Sequence, residues 1–349
     1  MSARHLGARS LINMERIKIV QVGRTHEHAT GKLITLKKMP DIFEIVGVVD
    51  DRNDVRTPSF PSDQSCFDGL PMITMEQALN LPGLQAACIE VPNNQLVETT
   101  IPFAEHGLAI HMDKPAGTSL DDFKKLLDIC KARKLPFQMG YMFRGNPAMK
   151  MVVESVHKGW IGDVFEIQCD MSHNYGGDTY QEYLGQMKGG IAYNLLCHLI
   201  DYITPLMGRP ENIVSIRKST ANVRNDIENN CVVLFEYPHA TATLRASSQE
   251  QGGSGARRLK VSGTKGFFDL CPLERFDGKP LLMTMHLKDG NEKYPAGTHI
   301  IDFGVQTDRY IVQLSELAKI IRGEIPNPCA YDMDLLVHEL VLRSSGYAL

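Results

Sequence analysis

The chain reads as a two-domain α/β protein. A doubly wound parallel sheet spans about residues 14–144, and an α+β domain with a large, mainly antiparallel sheet spans 145–349. Three observations predict this. Apolar strand runs alternate with helical patterns as far as Met142. From Val164 onward, strand candidates follow one another directly. A length of 349 residues suits about two domains with sizeable cores.

Arg16 to Val22 is the first strand, and Gly23 follows it. A helical pattern from His28 to Lys38 places Leu33, Ile34, Leu36 and Met39 at core spacing. Ile42 to Val49 is the second strand. It ends at Asp50, 27 residues after Gly23. That βαβ spacing is the one a dinucleotide fold uses, with the acid accepting hydrogen bonds from the adenosine ribose. A plain turn aspartate beside Asp51 and Asp54 is the other reading of Asp50. The phosphate loop departs from G-x-G-x-x-G. It runs Gly23-Arg24-Thr25-His26-Glu27-His28, so only the first glycine remains. The helix N-terminus still offers N–H groups, and Arg24, Thr25 and His26 could add donors.

A short helix near Met75–Leu79 and a strand from Leu84 to Val91 come next. Pro92-Asn93-Asn94 ends that strand, and Gln95 to His106 is helical. Leu108 to Met112 is a buried strand, stopped before Pro115, which cannot sit in a central strand. Lys114 is thereby held at the C-terminal edge of the sheet, where open α/β folds bind ligands; a solvated turn lysine is the alternative. The next helix opens at Ser119, with Asp122 three residues on, and buries Phe123, Leu126, Leu127 and Cys130. Phe137 to Met142 is the last strand of this domain.

Tyr141-Met142-Phe143-Arg144-Gly145-Asn146-Pro147 leads into a helix, Ala148 to Lys158, closed by Gly159. Strands are expected at Val164–Ser172, Ile213–Ala221, Asn230–Tyr237, Ala240–Ser247, Arg258–Ser262 and Gly266–Leu270. Helices at Asp308–Arg322 and Met333–Ser345 close the chain. The polar stretch from Ser172 to Tyr180, with His173 and Tyr175, reads as a loop or strand end. Lys188-Gly189-Gly190 enters a helix on which Asn194, His198 and Asp201 recur at i, i+4 and i+7, so they are expected on one face. Three polar groups there either bond one another or serve a site.

Composition excludes several classes. The net charge of -4 gives no basic footprint for nucleic acid. No apolar run reaches the roughly 20 residues of a membrane span. Met1–Asn13 has no apolar core, so it is read as an N-terminal extension rather than a secretory signal. None of the eight cysteines forms a CxxC pair, so free thiols in a reducing cytoplasm are expected. No metal constellation is visible.

Asp113-Lys114-Pro115 resembles the Glu-Lys-Pro motif of the Gfo/Idh/MocA family of nicotinamide-dependent sugar and polyol oxidoreductases. The glycine turn and Asn194-x-x-x-His198-x-x-Asp201 are similar to that family's Asp-x-x-x-His-x-x-Asp helix. Pro92-Asn93, the Tyr141–Pro147 stretch, Ile161-Gly162 and Gly263-Thr264 fall in the family's order. Departures are the altered loop, Leu96 in place of a histidine, Leu196 in place of a glycine, and Asn194 in place of the customary aspartate.

The resemblance implies a Rossmann-type first domain and a cofactor held by Gly23, Arg24, Thr25, His26, Asp50, Pro92, Asn93, Asp113 and Lys114. Asp50 would repel a 2′-phosphate, with Arg52 close by to soften this, so NAD rather than NADP is expected; the resemblance implies Lys114 and His198 doing the proton work and Asn194 positioning. Tyr141, Arg144, His173, Tyr175, Asn194 and His198 are the substrate-contact candidates, linker packing being the alternative for Tyr141 and Arg144. A homodimer or homotetramer and a carbohydrate or polyol substrate are implied. Two other functions stay open: glycoside cleavage by transient oxidation with tightly held NAD, and a non-catalytic sugar or nucleotide sensor.

Overall fold

The computed structural model describes residues 15–52, 63–174 and 177–349. The N-terminal extension, Asp54 and Tyr175 lie outside the described residues. The first half comprises β1 (Ile17–Val22), α1 (Ala29–Lys37), β2 (Phe43–Val49), β3 (Met72–Ile73), α2 (Met75–Leu79), β4 (Ala86–Ile89), α3 (Leu96–Glu105), β5 (Ala109–Met112), α4 (Leu120–Arg133) and β6 (Phe137–Met139). Its strands lie in the order β3-β2-β1-β4-β5-β6, all parallel. The order reverses between β1 and β4, and such a switch point opens a crevice at the strand ends.

Strand alternation builds a core on each face. Val20, Val22, Ala87, Ile89, Ile110 and Met112 pack with α3 and α4. Ile17, Ile19, Ala86, Cys88 and Ala109 face the other way, toward α1 and a helix from near the end of the chain. Helix α4 starts where Ser119 accepts a hydrogen bond from the Asp122 N–H, 3.2 Å away.

The second half comprises α5 (Pro147–His157), β7 (Val164–Asp170), α6 (Asp178–Gly185), α7 (Ile191–Asn194), α8 (Cys197–Met207), β8 (Asn212–Lys218), β9 (Asn230–Tyr237), β10 (Ala240–Ser247), α9 (Gly253–Ala256), β11 (Arg258–Gly263), β12 (Gly266–Leu270), β13 (Pro280–Leu287), β14 (Gly297–Val305), α10 (Ile311–Ile321) and α11 (Tyr331–Ser344). Asn146 caps α5 by accepting from the Ala148 and Met149 N–H groups, with Pro147 at the first helical position. The eight-stranded sheet runs β14-β13-β12-β11-β7-β10-β9-β8. Only β7 and β10 pair in parallel.

One face of that sheet is packed, through Ile167, Val233, Phe235, Leu244, Val261 and Met283 among others. The other exposes Phe165, Val214, Ile216, Leu234, Leu282 and Ile300. Helix α10 turns back to the first sheet, where Leu314, Leu317 and Ala318 cover Ile17 and Ile19. Among the described residues, no helix is long and apolar enough to cross a membrane. All eight cysteines are free thiols.

Three expectations need correction. Strands β3, β13 and β14 were not foreseen; β3 is only two residues long, and β14 is an edge strand whose residues are at most half-buried, so its apolar signal is weak. Helix α6 replaces the expected loop after Gly177. Its apolar residues Tyr180, Tyr183 and Leu184 stand at i, i+3 and i+4, but polar neighbours hide them. The single helix expected through Asn194–Asp201 is two, broken at Leu195 and Leu196.

Candidate active site

The break between α7 and α8 has a physical cause. Lys114 Nζ donates to the backbone oxygen of Asn194 at 2.9 Å. In an uninterrupted helix that oxygen would accept from the His198 N–H. Instead His198 N–H bonds the Leu195 oxygen at 3.2 Å. A side chain inserted into the ladder kinks a helix. Here the inserted group comes from the end of β5, so the break also joins the two halves of the molecule. Tyr193 adds a second tie, donating from Oη to the Gly117 oxygen at 2.6 Å.

Lys114, Asn194 and His198 thus line one small cavity of about 30 Å³. Glu27, His28, Tyr180, Arg257, Arg309 and Tyr310 line it too. Asn194 donates to Tyr180 Oη at 2.8 Å and accepts from Asn93 Nδ2 at 3.3 Å. The His198 ring sits edge-to-face against Tyr141 and Phe143, centroids 5.9 and 5.7 Å apart. Its Nδ1 has no hydrogen-bond partner among the described residues, nor do Tyr141 Oη, Asn93 Oδ1 and Asp113 Oδ1. Burial, with Lys114 and His28 nearby, holds the His198 pKa well below its ordinary value, so the ring is neutral.

Asp113 adjoins Lys114 behind the cavity lining. Its Oδ2 is 2.8 Å from His28 Nδ1 and 3.1 Å from His26 Nδ1. Burial alone would raise the Asp113 pKa, but the two histidines hold it well below the usual carboxylate range. Burial lowers the His28 pKa. A neutral His28 can donate from Nδ1 to Asp113, leaving Nε2 toward Glu27, 3.5 Å away. Behind Asp113, Glu90 Oε1 is 3.9 Å from Lys32 Nζ, and Lys32 contacts His111 Nε2. No metal motif is visible in the sequence, yet donor atoms of His26, His28, Glu90 and Asp113 fall within 4.8 Å of one another. Hydrogen bonds organise the group, and Lys32 and Lys114 already supply positive charge beside it.

The loop that should cradle phosphate is occupied by its own chain. Gly23 is required: at φ +93°, an added Cβ would lie 2.5 Å from the Glu90 backbone oxygen. Asp51 accepts from the N–H of Arg24 at 2.9 Å, the N–H of Thr25 at 3.2 Å and Thr25 Oγ1 at 2.6 Å. The Arg24 side chain bonds Gln64 at 2.9 Å and lies over Phe67. Both oxygens of Asp50 take bonds from Arg52, at 2.5 to 3.0 Å, and these pull its pKa down. His28 caps α1 without a side-chain bond, and no acid stands in the first turn, so the positive end of the helix dipole faces the crevice uncompensated by its own first turn. With the unpartnered oxygens of Asn93 and Asp113, this fits a nicotinamide dinucleotide at the strand ends.

Other expected residues are placed differently. Pro92 begins the turn that carries Asn93. Arg144 is not brought to the cavity: it bonds Asp201 at 2.5 Å and Asp334 at 2.6 Å. These two buried carboxylates claim its guanidinium, and Asp201, bonded to Arg144, does not line the cavity with Asn194 and His198. His173 meets the cavity wall through Tyr180, ring centroids 5.7 Å apart. Sequence reasoning missed Glu27, Arg257, Arg309 and Tyr310, took in Tyr180 only as the end of a polar loop, and saw His28 only as a lost glycine. The helical spacing of Tyr180 and Tyr183 was the one available signal.

The crevice and the strand order define a dinucleotide-binding α/β protein carrying a second sheet domain. Family models agree: residues 16–141 match the oxidoreductase family with an NAD-binding Rossmann fold, and residues 149–269 the GFO/IDH/MocA C-terminal domain. The chain belongs to the Gfo/Idh/MocA family of oxidoreductases. An uncharacterised oxidoreductase of Streptococcus pneumoniae is 24% identical over 58% of this chain, and the match spans 59% of that relative's length. D-apiose dehydrogenase of Paraburkholderia graminis is 23% identical over 76% of this chain and 68% of its own. The fold is similar to that of an Azotobacter vinelandii inositol dehydrogenase homologue complexed with NADH and myo-inositol. The TM-score is 0.75 at 15% identity, covering 95% of this chain and 96% of that one.

Proposed function

We propose that the protein is an NAD-dependent dehydrogenase acting on a hydroxyl-bearing carbon of a sugar, glycoside or cyclic polyol. The observation that carries this is the convergence of Lys114, Asn194 and a neutral His198 on one cavity. NAD supplies the hydride acceptor when bound. His198 takes the hydroxyl proton, which a neutral imidazole can do. Lys114, fixed by the Asn194 carbonyl, donates to the same oxygen and stabilises the charge that builds there. Asn194 cannot take a proton; with Tyr180 and Asn93 it orients a neighbouring hydroxyl.

Asp50 favours NAD over NADP by its charge. Its pairing with Arg52 weakens that preference. The exposed apolar face of the eight-stranded sheet is read as the contact of a homodimer or homotetramer. The test is a screen of sugars and polyols for change in nicotinamide absorbance, with products analysed in parallel. Turnover that consumes NAD supports the reading. Ligand binding with no turnover across the panel would replace it with the sensor reading. A reducing sugar released without added cofactor would replace it with the glycoside-cleaving one.

A further inference from the structure

The loop that lacks the second and third glycines carries two histidines instead, and both reach Asp113. His26 and His28 stand between β1 and α1, Glu90 follows β4, and Asp113 follows β5. These strands are neighbours in the first sheet, in the order β1-β4-β5. Four side chains with metal-binding atoms thus leave adjacent strand ends on a rigid scaffold. One donor atom from each lies within 4.8 Å of the others.

Each side chain is also held from behind. His28 Nδ1 and His26 Nδ1 converge on Asp113 Oδ2, at 2.8 and 3.1 Å. Their other nitrogens have outer partners: His28 Nε2 faces Glu27 Oε1 at 3.5 Å, and His26 Nε2 faces Tyr183 Oη at 3.4 Å. With the ring protons on Nε2, Glu27 and Tyr183 accept them, and both Nδ1 lone pairs are free to coordinate. A metal-bound histidine carries its other N–H on such an outer acceptor. Glu90 divides its oxygens in the same way. Oε1 accepts from Cys88 Sγ at 3.6 Å and lies 3.9 Å from Lys32 Nζ. Oε2 is buried with no partner among the described residues. A buried carboxylate oxygen needs one. The nearby lysines do not provide it: Lys114 donates to the Asn194 oxygen at 2.9 Å, and Lys32 meets His111 and the other Glu90 oxygen.

We propose that His26, His28, Glu90 and Asp113 form a binding site for a divalent transition-metal ion, zinc foremost. Two imidazole nitrogens and two carboxylate oxygens suit zinc and its first-row neighbours, whereas magnesium and calcium favour oxygen alone. Zinc bonds of about 2.0–2.2 Å set tetrahedral donors roughly 3.3 Å apart. The separations of 2.8 and 3.1 Å need only a small widening once the Nδ1 protons move to Nε2. Four protein donors close the coordination shell, so the ion holds structure and is not a catalytic centre. It ties the loop before α1 to the ends of β4 and β5, and it leaves Asp113 Oδ1 and Lys114 uncoordinated. The site does not depend on the dehydrogenase reading.

The test is metal binding by the full-length protein. Stripped with dipicolinate and reloaded with zinc or cobalt(II), the protein should retain about one equivalent through gel filtration, counted by elemental analysis. The cobalt(II) form should show the visible absorption of a four-coordinate centre with no thiolate charge-transfer band. Zinc at about a hundredfold excess over its Kd should raise the Tm of the stripped protein by about 5 °C. Tyr183→Phe and Glu27→Gln keep the ligands and remove only an outer acceptor, so each should weaken binding about tenfold. His26→Gln and His28→Gln should weaken it further, with circular dichroism checking the fold. A reloaded wild-type protein that retains no metal would overturn the proposal. So would retention undiminished in both histidine variants and both outer variants. A sulfur ligand in X-ray absorption would overturn it too, by moving the ion to Cys88.

Discussion

The two ends of the strand-end crevice are built on opposite principles. At the loop end, the groups expected to meet a cofactor are satisfied within the chain: Asp51 holds two loop N–H groups, and Arg52 holds Asp50. At the Lys114 end, four buried polar atoms, on Asn93, Asp113, Tyr141 and His198, have no partner among the described residues. Buried polar groups are normally bonded, so the second end is poised for a ligand and the first must exchange bonds to accept one. The contrast teaches that, in the function proposed above, the Lys114 end is open to a ligand and the loop end must exchange its own bonds to accept one.

The largest expected effect comes from the poised end. Lys114→Ala should lower kcat roughly 10²- to 10⁴-fold, as loss of one proton-handling group does, with the dimensions of the fold kept. Steady-state kinetics on the true substrate decides this. Near-normal turnover would remove Lys114 from the chemistry and erase the contrast.

Asn194→Asp tests the same end more finely. Burial and Lys114 hold the His198 pKa down. A carboxylate sharing the cavity favours the imidazolium, so that pKa should rise. The base must be neutral, so activity is lost as pH falls through its pKa. The acidic limb of the oxidation pH–rate profile should therefore move to higher pH. An unmoved limb would mean that another group, His28 foremost, carries the proton.

At the loop end, Asp51→Asn removes a negative charge beside the N–H groups of Arg24 and Thr25. NADH should bind about five- to tenfold more tightly in a fluorescence titration, in line with roughly 1 kcal/mol of relieved repulsion. Weaker binding would show that Asp51 scaffolds the loop and that the saturated state is the binding state. Arg52→Ala should have the smallest effect. Freed Asp50 would repel a 2′-phosphate more strongly, so the ratio of NAD to NADP affinity should rise about two- to threefold, the size of a surface ion pair. A fall in that ratio would place Asp50 away from the ribose.

Much of this was legible in the chain itself. Strand and helix periods are local, so β1, β2, β4, β5 and β6 and α1, α3 and α4 could be placed within a few residues of where they lie, whereas the two-residue β3 is too short to show a period. Pro115 marks the end of β5, and with it the position of Lys114 at a sheet edge. The i, i+4 spacing brought Asn194 and His198 together because both ends of that short step belong to one stretch of backbone.

What sequence could not settle was every partnership between distant segments. Lys114 breaks the helix at Leu195 by taking a carbonyl that lies 80 residues away in the chain. Arg144 looked free for substrate until Asp201 and Asp334, from two other helices, closed on it. Asp51 rather than Asp50 holds the loop. Arg257 and Arg309 carry no spacing or motif that marks them, and only the packing of α10 onto the first sheet brings them to one wall. Local backbone preferences act within a few residues. Charge pairing and the satisfaction of buried polar groups act through space, so they are decided when the two halves close on each other.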